Sequence, residues 1–139
     1  MTWRVRRGRL LAETGRTVVL NALRFWDGRK WAIYSCVVMP DHVHALVRPL
    51  PLDLDDQLVS GCHDLSALTQ SVKGFSAREV NKLESARGAL LQDESYDRIM
   101  RGDREFDEAW AYIVANPVKA ELCERPEDYQ WLYCAGRAD

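Results

Sequence analysis

The chain has 139 residues, of which 47% are hydrophobic and 29% charged, and its formal net charge is −2. This balance is typical of one folded domain and excludes a disordered or fibrous chain. No run approaches the roughly 18 apolar residues that a membrane-spanning helix needs, and the arginine-rich start lacks the apolar stretch of a signal peptide. We therefore expect a single domain over residues 1–139, located in the cytoplasm and without a membrane partner.

The four cysteines occur singly along the chain, without a Cys-X-X-Cys pair. Scattered single cysteines favour reduced thiols over a disulfide framework. The adjacent Cys62 and His63 provide half of a zinc-ligand pattern, but no partner pair stands at ligand spacing, so zinc is not expected there. The cysteines are Cys36, Cys62, Cys123 and Cys134.

The first half of the chain combines short strands with one helix. Trp3 and Val5 alternate with arginines, which predicts a short first strand. Apolar residues recur at intervals of three and four in residues 17–26, so we predict an amphipathic helix there, closed by an Asp-Gly pair. Two apolar runs, residues 31–38 and 42–47, flank a Met-Pro-Asp turn and predict a β-hairpin.

The second half begins with another helical pattern. Apolar residues repeat at three and four over residues 65–75, which predicts a helix. Gly74 weakens this helix and predicts a kink or break before a helical pattern resumes at Ser76. Residues 89–100 are predicted to form a strand with a polar insert at residues 92–98.

A third helix is predicted from Asp103, a candidate N-cap, to Asn116, where Pro117 should end it. The aromatic tail at residues 126–133 is expected to fold back on the body. Strands and helices therefore intermix, which favours an α+β sandwich with an antiparallel sheet and helices on one face. The apolar face of the third helix consists of Phe106, Trp110, Ile113 and Val114.

Two of the three histidines, His42 and His44, stand one residue apart inside the second strand of the predicted hairpin. Side chains alternate faces along a strand, so both imidazoles should project from the same face. Neutral imidazole is a common ligand of divalent metals, and a strand is a rigid base for two converging ligands. The alternative is a pair of half-buried polar residues without a metal.

The third helix offers groups that complete such a site. Tyr112 and Asn116 are four residues apart and therefore lie on the same helical face. The asparagine carbonyl can serve as a third metal ligand, and the phenol can act as a nucleophile on a group that a metal polarises. Taken singly, Tyr112 also fits a rim aromatic, and Asn116 fits a helix terminator.

Four separated segments of the chain are residues 37–47 (VVMPDHVHALV), 71–81 (SVKGFSAREVN), 92–98 (QDESYDR) and 112–120 (YIVANPVKA). Together they resemble the single-tyrosine HUH transposases and, among these, the REP-associated tyrosine transposases. Order and spacing agree over roughly residues 17–133. The resemblance implies a ferredoxin-like α+β sandwich with His42 and His44 as metal ligands, Tyr112 as the nucleophile, and Asn116 in a ligand position that is Gln in many relatives. Relatives begin with a longer hydrophobic strand, so the arginine-rich residues 1–11 predict a truncated first strand.

The resemblance implies a metal-dependent single-stranded DNA endonuclease or transposase that acts on hairpin or palindromic DNA. Such an enzyme cleaves and rejoins DNA through a 5′-phosphotyrosine intermediate, with Mg²⁺ or Mn²⁺ as cofactor, and works as a monomer or homodimer. The alternative within the same ancestry is a domesticated protein that binds palindromic DNA without cutting it. Basic residues in or near the motifs are expected to contact phosphates. These residues are Arg4, Arg6, Lys73, Arg78, Arg98 and Arg101.

Two further alternatives concern the chemistry. A nucleotide hydrolase of the histidine-triad kind would need another alternating histidine, but position 46 is leucine. Among the five tyrosines, Tyr96 competes with Tyr112 as nucleophile, although its acidic neighbours oppose a phenolate. Tyr34 is expected to pack in the fold, and Tyr129 and Tyr133 are expected to belong to a structural tail.

Overall fold

The computed structural model describes residues 1–52 and 61–135. Five strands and three α-helices make up this part of the chain, and none of its helices is long and apolar enough to cross a membrane. The strands are β1 (Thr2–Val5), β2 (Trp31–Val38), β3 (His42–Pro49), β4 (Leu91–Tyr96) and β5 (Leu132–Cys134), and the helices are α1 (Glu13–Phe25), α2 (Leu65–Glu84) and α3 (Asp103–Lys119). A 3₁₀ turn at Pro126–Asp128 precedes β5.

The strands form one antiparallel sheet in the order β4-β1-β3-β2-β5. The first four strands and first two helices follow one another as βαββαβ, the ferredoxin-like arrangement that was predicted. β1 is hydrogen-bonded on both sides, because Thr2 lies opposite both His44 and Tyr96. Trp3 and Val5 are buried whereas Arg4 is exposed, which confirms the alternation expected of the first strand.

The helices cover both faces of the sheet. α1 and α2 pack together on the face that carries Trp3 and its neighbour Val43, and the indole of Trp31 donates a hydrogen bond to the Leu23 carbonyl of α1 at 3.1 Å. α3 lies on the opposite face against β2 and β3, where the Tyr34 and Phe106 rings meet edge to face at 4.9 Å. The prediction of helices on one face therefore holds for α1 and α2, but α3 covers the other face.

Helix boundaries differ from the predicted ones in two places on the α1/α2 layer. α1 begins at Glu13, four residues before the apolar repeat suggested. α2 runs without a break through Gly74, so the predicted kink is wrong. Its start is anchored by Asp64, whose carboxylate accepts the backbone N–H of Ser66 at 2.9 Å, and packing of its buried side chains outweighs the weak helix propensity of one glycine.

Both predicted ends of α3 are also wrong. Asp103 is the first helical residue instead of the N-cap, a position where its negative charge favours the positive end of the helix dipole. At the other end the helix continues through Pro117 to Lys119. A proline removes one hydrogen-bond donor but leaves later donors free to bond, and the Ala120 N–H bonds to the Asn116 carbonyl at 3.0 Å. The extra turn carries Lys119 on the same helix as Tyr112.

The predicted polar insert at residues 92–98 is largely the strand itself. β4 spans Leu91–Tyr96 and pairs with β1 at the edge of the sheet, where an outer strand tolerates polar residues. The tail behaves as predicted, since Tyr129 and Trp131 are buried and β5 adds to β2. All four cysteines are free thiols, as predicted.

Lys73 holds β4 to α2 from inside the fold. Lys73 is only 7% exposed, and its ammonium donates to the Gln92 carbonyl at 3.0 Å and to Ser95 Oγ at 2.8 Å. The same ammonium lies 5.6 Å from the Trp3 ring centroid. The prediction that Lys73 contacts phosphates is therefore wrong, because its charge is used to bond the edge strand.

We expect Lys73→Met to lower the free energy of unfolding by about 1.5–3 kcal/mol, because hydrogen bonds from a charged donor to half-buried acceptors are lost. Urea denaturation measures this change. Lys82→Met, which removes an exposed lysine paired with Glu79 on the same helix, should change it by less than about 0.5 kcal/mol. Equal effects of the two substitutions would contradict the internal role of Lys73.

Candidate functional site

His42 and His44 project from the same face of β3, as predicted. Their ring centroids are 4.6 Å apart, and both residues are half-buried. Across the ladder to β1, Arg4 lies opposite His42 and Thr2 lies opposite His44, so these four side chains share one face. The other face of the same stretch carries the buried Val43 and Ala45, which anchor the strand in the core.

Each imidazole is held at its Nδ1 atom. His44 Nδ1 is 2.9 Å from Thr2 Oγ1, and His42 Nδ1 is 2.6 Å from the Asp41 carboxylate. With Nδ1 engaged, Nε2 is the atom of each ring left for a metal, and outer partners of this kind fix ring orientation in metal sites. The sequence analysis missed both partners. Asp41 stands beside His42 in the chain, whereas Thr2 is 42 positions away and is brought to His44 only by strand pairing.

The surroundings of His44 keep its imidazole neutral. Burial, reinforced by the nearby His42, the N-terminal ammonium and Arg4, lowers the pKa of His44 from 6.5 to about 4. The Asp41 carboxylate acts in the opposite direction and is outweighed. Neutral imidazole is the form that binds metal, so His44 is ready as a ligand throughout the physiological pH range.

α3 places Tyr112 above this pair. The Tyr112 ring centroid is 5.4 Å from that of His44, and the residue is 52% exposed, while Ile113 beside it is buried. The prediction that the core face of α3 excludes Tyr112 is confirmed. Asn116 is buried one turn further along, and the Lys119 ammonium lies 5.6 Å from the Tyr112 ring centroid. A phenol, an amide and a positive charge therefore lie within about two turns of one helix, and the phenol ring meets His44.

The predicted metal ligands are the two imidazoles and the Asn116 amide. Within residues 1–52 and 61–135, no group of three or more His, Cys, Asp or Glu is placed to hold a metal ion. A site built on His42 and His44 thus needs a different third ligand, and Asn116 offers a neutral carbonyl oxygen. Cys62 is exposed and His63 is half-buried, and they belong to no such cluster.

The remaining tyrosines differ in their surroundings. Tyr34 packs against α3, the Tyr129 hydroxyl donates to the Val38 carbonyl at 2.7 Å, and the Tyr133 hydroxyl donates to Asp27 at 3.0 Å. These contacts confirm the packing and tail roles that were predicted. Tyr96 is different, because it lies opposite Thr2 on the histidine-bearing face of the sheet.

Most of the predicted phosphate-binding residues are exposed. The Arg98 guanidinium makes a loose ion pair with Glu105 at 3.4 Å, and its side chain is largely solvent-accessible. Arg4 stands out because it shares the face of His42. The exposed members of the predicted set are Arg4, Arg6, Arg78, Arg98 and Arg101.

The chain folds as an α+β sandwich that is similar to the solved structure of a tyrosine transposase. The solved structure of a REP-associated tyrosine transposase bound to a REP hairpin is similar to this chain with a TM-score of 0.72. The similarity covers 94% of this chain and 72% of that one, at 21% sequence identity. The resemblance found in the sequence is thus confirmed at the level of the fold. No protein-family model matches the chain, and no curated protein does.

The pKa of His44 makes stability dependent on pH. The unfolded chain takes up this proton near pH 6.5 and the folded chain only near pH 4, so the unfolded state binds more protons between these values and stability falls as the pH is lowered through that window. We expect NMR titration to place His44 near 4, and His44→Gln to flatten the loss of stability measured by urea denaturation between pH 6.5 and about 4. A titration midpoint near 6.5 would contradict the burial of this ring.

Proposed function

We propose that this protein cleaves and rejoins single-stranded DNA at hairpin or palindromic sequences, with Tyr112 as nucleophile. The observation that carries the proposal is the 5.4 Å contact between the Tyr112 and His44 rings, which joins the two predicted halves of the site. The similar fold of a transposase bound to a DNA hairpin supports it. The oligomeric state, monomer or homodimer, and the cytoplasmic location remain predictions.

We propose that the site binds a divalent metal, Mg²⁺ or Mn²⁺. His42 and His44 have Nδ1 engaged and Nε2 to offer, His44 is neutral, and Asn116 is a buried amide on the helix above. We propose these three residues as its ligands. A metal bound there would supply Lewis-acid polarisation of the scissile phosphate.

In the proposed reaction the phenolic oxygen of Tyr112 forms a bond to phosphorus, and the bond from phosphorus to the 3′-oxygen breaks. The phenol loses its proton, and the departing oxygen takes one up to become a free 3′-hydroxyl. The protein is left joined to the 5′-phosphate, and attack by a 3′-hydroxyl on that link reverses the step and rejoins DNA. Lys119 places a positive charge beside the Tyr112 ring, where it attracts the phosphate.

Exposed arginines are proposed to hold the DNA backbone. Arg98 and Arg101 follow β4 and precede α3, and Arg4 lies beside His42. Guanidinium groups bind phosphates in bidentate geometry, and such contacts set affinity and register without reading sequence. Arg6 completes the proposed set. Arg78 is left out of it, because it lies on α2, on the opposite side of the sheet from the histidines.

We expect Tyr112→Phe to abolish the covalent protein–DNA adduct while hairpin binding persists, because one hydroxyl is lost and the exposed ring stays. Labelled hairpin DNA with a single-stranded tail, incubated with Mn²⁺ and run on a denaturing gel, detects the adduct, and anisotropy of the same DNA measures binding. Tyr96→Phe is the matched control and should form adduct as the wild type does. Loss of adduct in Tyr96→Phe alone would move the nucleophile to Tyr96, and hairpin binding without adduct in the wild type would favour the non-cleaving binder.

We expect Asp41→Ala to weaken Mn²⁺ binding about 10–100-fold, because the His42 ring loses the carboxylate that orients it. Titration of the free protein followed by electron paramagnetic resonance measures this affinity without DNA. Glu79→Ala removes an equal charge from α2, on the opposite side of the sheet, and should leave the affinity unchanged. Unaltered Mn²⁺ affinity in Asp41→Ala would remove the carboxylate from the site.

A further inference from the structure

In the described part of the chain, half of the histidine-bearing face carries exposed side chains. α3 packs over β2 and β3, whereas the other half of the face, formed by β1 and β4, carries the exposed side chains of Arg4, Glu94 and Tyr96. We call these three residues the open half-sheet. The histidines and Tyr112 stand at its border with α3, so a strand of DNA that reaches Tyr112 can lie along the open half-sheet.

Tyr96 is tied to the site through one residue. It lies opposite Thr2 on β1, and Thr2 in turn lies opposite His44 and contacts its Nδ1. Two strand spacings therefore separate the Cα atoms of Tyr96 and His44, a distance of about 10 Å. A nucleotide adjacent to one bound at the histidines would lie over β1 and β4.

The ring of Tyr96, not its hydroxyl, is the part that is free to act. The hydroxyl donates to the Glu94 carboxylate at 3.3 Å, while the residue is 56% exposed. An exposed aromatic ring on a sheet is a platform on which an unpaired base can stack. The Tyr112 ring, by contrast, meets His44 and Lys119.

Charge decides how a strand would lie on the open half-sheet. Glu94 carries a carboxylate beside Tyr96, and a phosphate placed there would be repelled. Arg4 lies one strand nearer to the histidines, opposite His42, and attracts a phosphate. A DNA backbone would therefore run over Arg4 toward the histidines, with a base turned outward onto Tyr96.

We propose that Tyr96 is the stacking platform for an unpaired base next to the phosphate that Tyr112 attacks, with Arg4 binding the backbone of the same strand. Tyr96 is then a positioning residue that works through its ring. The inference rests on the proposed function and specifies where the single-stranded part of the DNA binds. It also gives the QDESYDR segment a role separate from the chemistry.

The test compares two fluorescein-labelled DNA hairpins, one with a short single-stranded tail and one blunt. Binding is measured by anisotropy in the Tyr112→Phe background, which prevents cleavage. Tyr96→Ala should weaken binding of the tailed hairpin about 5- to 150-fold, and Tyr96→Phe should restore it, because phenylalanine keeps the ring. The blunt hairpin should bind equally to the Tyr112→Phe protein and to the two double variants that also carry Tyr96→Ala or Tyr96→Phe.

Two controls separate stacking from general effects. Phe25→Ala removes a ring of nearly equal exposure, 54%, from the end of α1, and should leave tailed-hairpin binding unchanged. Arg4→Gln should reduce the slope of log affinity against log salt concentration by about 0.7, whereas Tyr96→Ala should leave the slope unaltered because no charge is lost. Equal urea midpoints exclude unfolding as the cause of a loss.

The outcomes distinguish this inference from the function on which it rests. If the wild type and Tyr112→Phe bind the tailed hairpin and Tyr96→Ala binds it equally well, the stacking platform is wrong and the proposed function stands. If Tyr96→Phe binds the tailed hairpin as weakly as Tyr96→Ala does, the hydroxyl is the group that matters, and the proposal of a stacking platform is again wrong. If the wild type binds neither hairpin nor single-stranded DNA, both proposals fall.

Discussion

The alternation of side chains along β3 underlies every other feature of the site. Val43 and Ala45 are buried toward α1 and α2, so His42 and His44 must face the opposite side. A shift of register by one residue would expose both apolar side chains and bury both imidazoles, at a cost set by the lost apolar burial and by the desolvation of the rings. The histidine pair is therefore positioned by the hydrophobic core beneath it.

β1 extends the same coupling to a second strand. Trp3 is buried on the α1/α2 side, while Thr2 and Arg4 lie on the histidine side. Thr2 holds His44, and Arg4 brings a positive charge near the pair, which helps to keep His44 neutral. Because side chains alternate along β1, its apolar residues pack in the core and its polar residues lie beside the histidines.

α3 divides the histidine face into a covered part and an open part. The edge-to-face contact between Tyr34 and Phe106 joins the helix to β2, and Tyr112 then lies over His44 at the edge of the covered part. The proposed chemistry belongs to that edge, where the Tyr112 ring meets the His44 ring. The proposed DNA binding belongs to the open part, where Arg4, Glu94 and Tyr96 are exposed in the described part of the chain. Tyr112, the proposed nucleophile, is also exposed at its border.

The sequence by itself determined the features that depend on local periodicity. The hairpin, the shared face of His42 and His44, and the exposure of Tyr112 beside the buried Ile113 follow from periods of two and 3.6 residues. Only the tertiary structure decided the contacts that join distant segments. Thr2 reaches His44 because β1 and β3, which are far apart in the chain, pair in the sheet. Lys73 bonds to β4 because α2 packs on the sheet. The polar residues of β4 form a strand because β1 supplies its hydrogen bonds. Local pattern fixes which way a side chain points, whereas the packing of the whole core selects the neighbour that it meets.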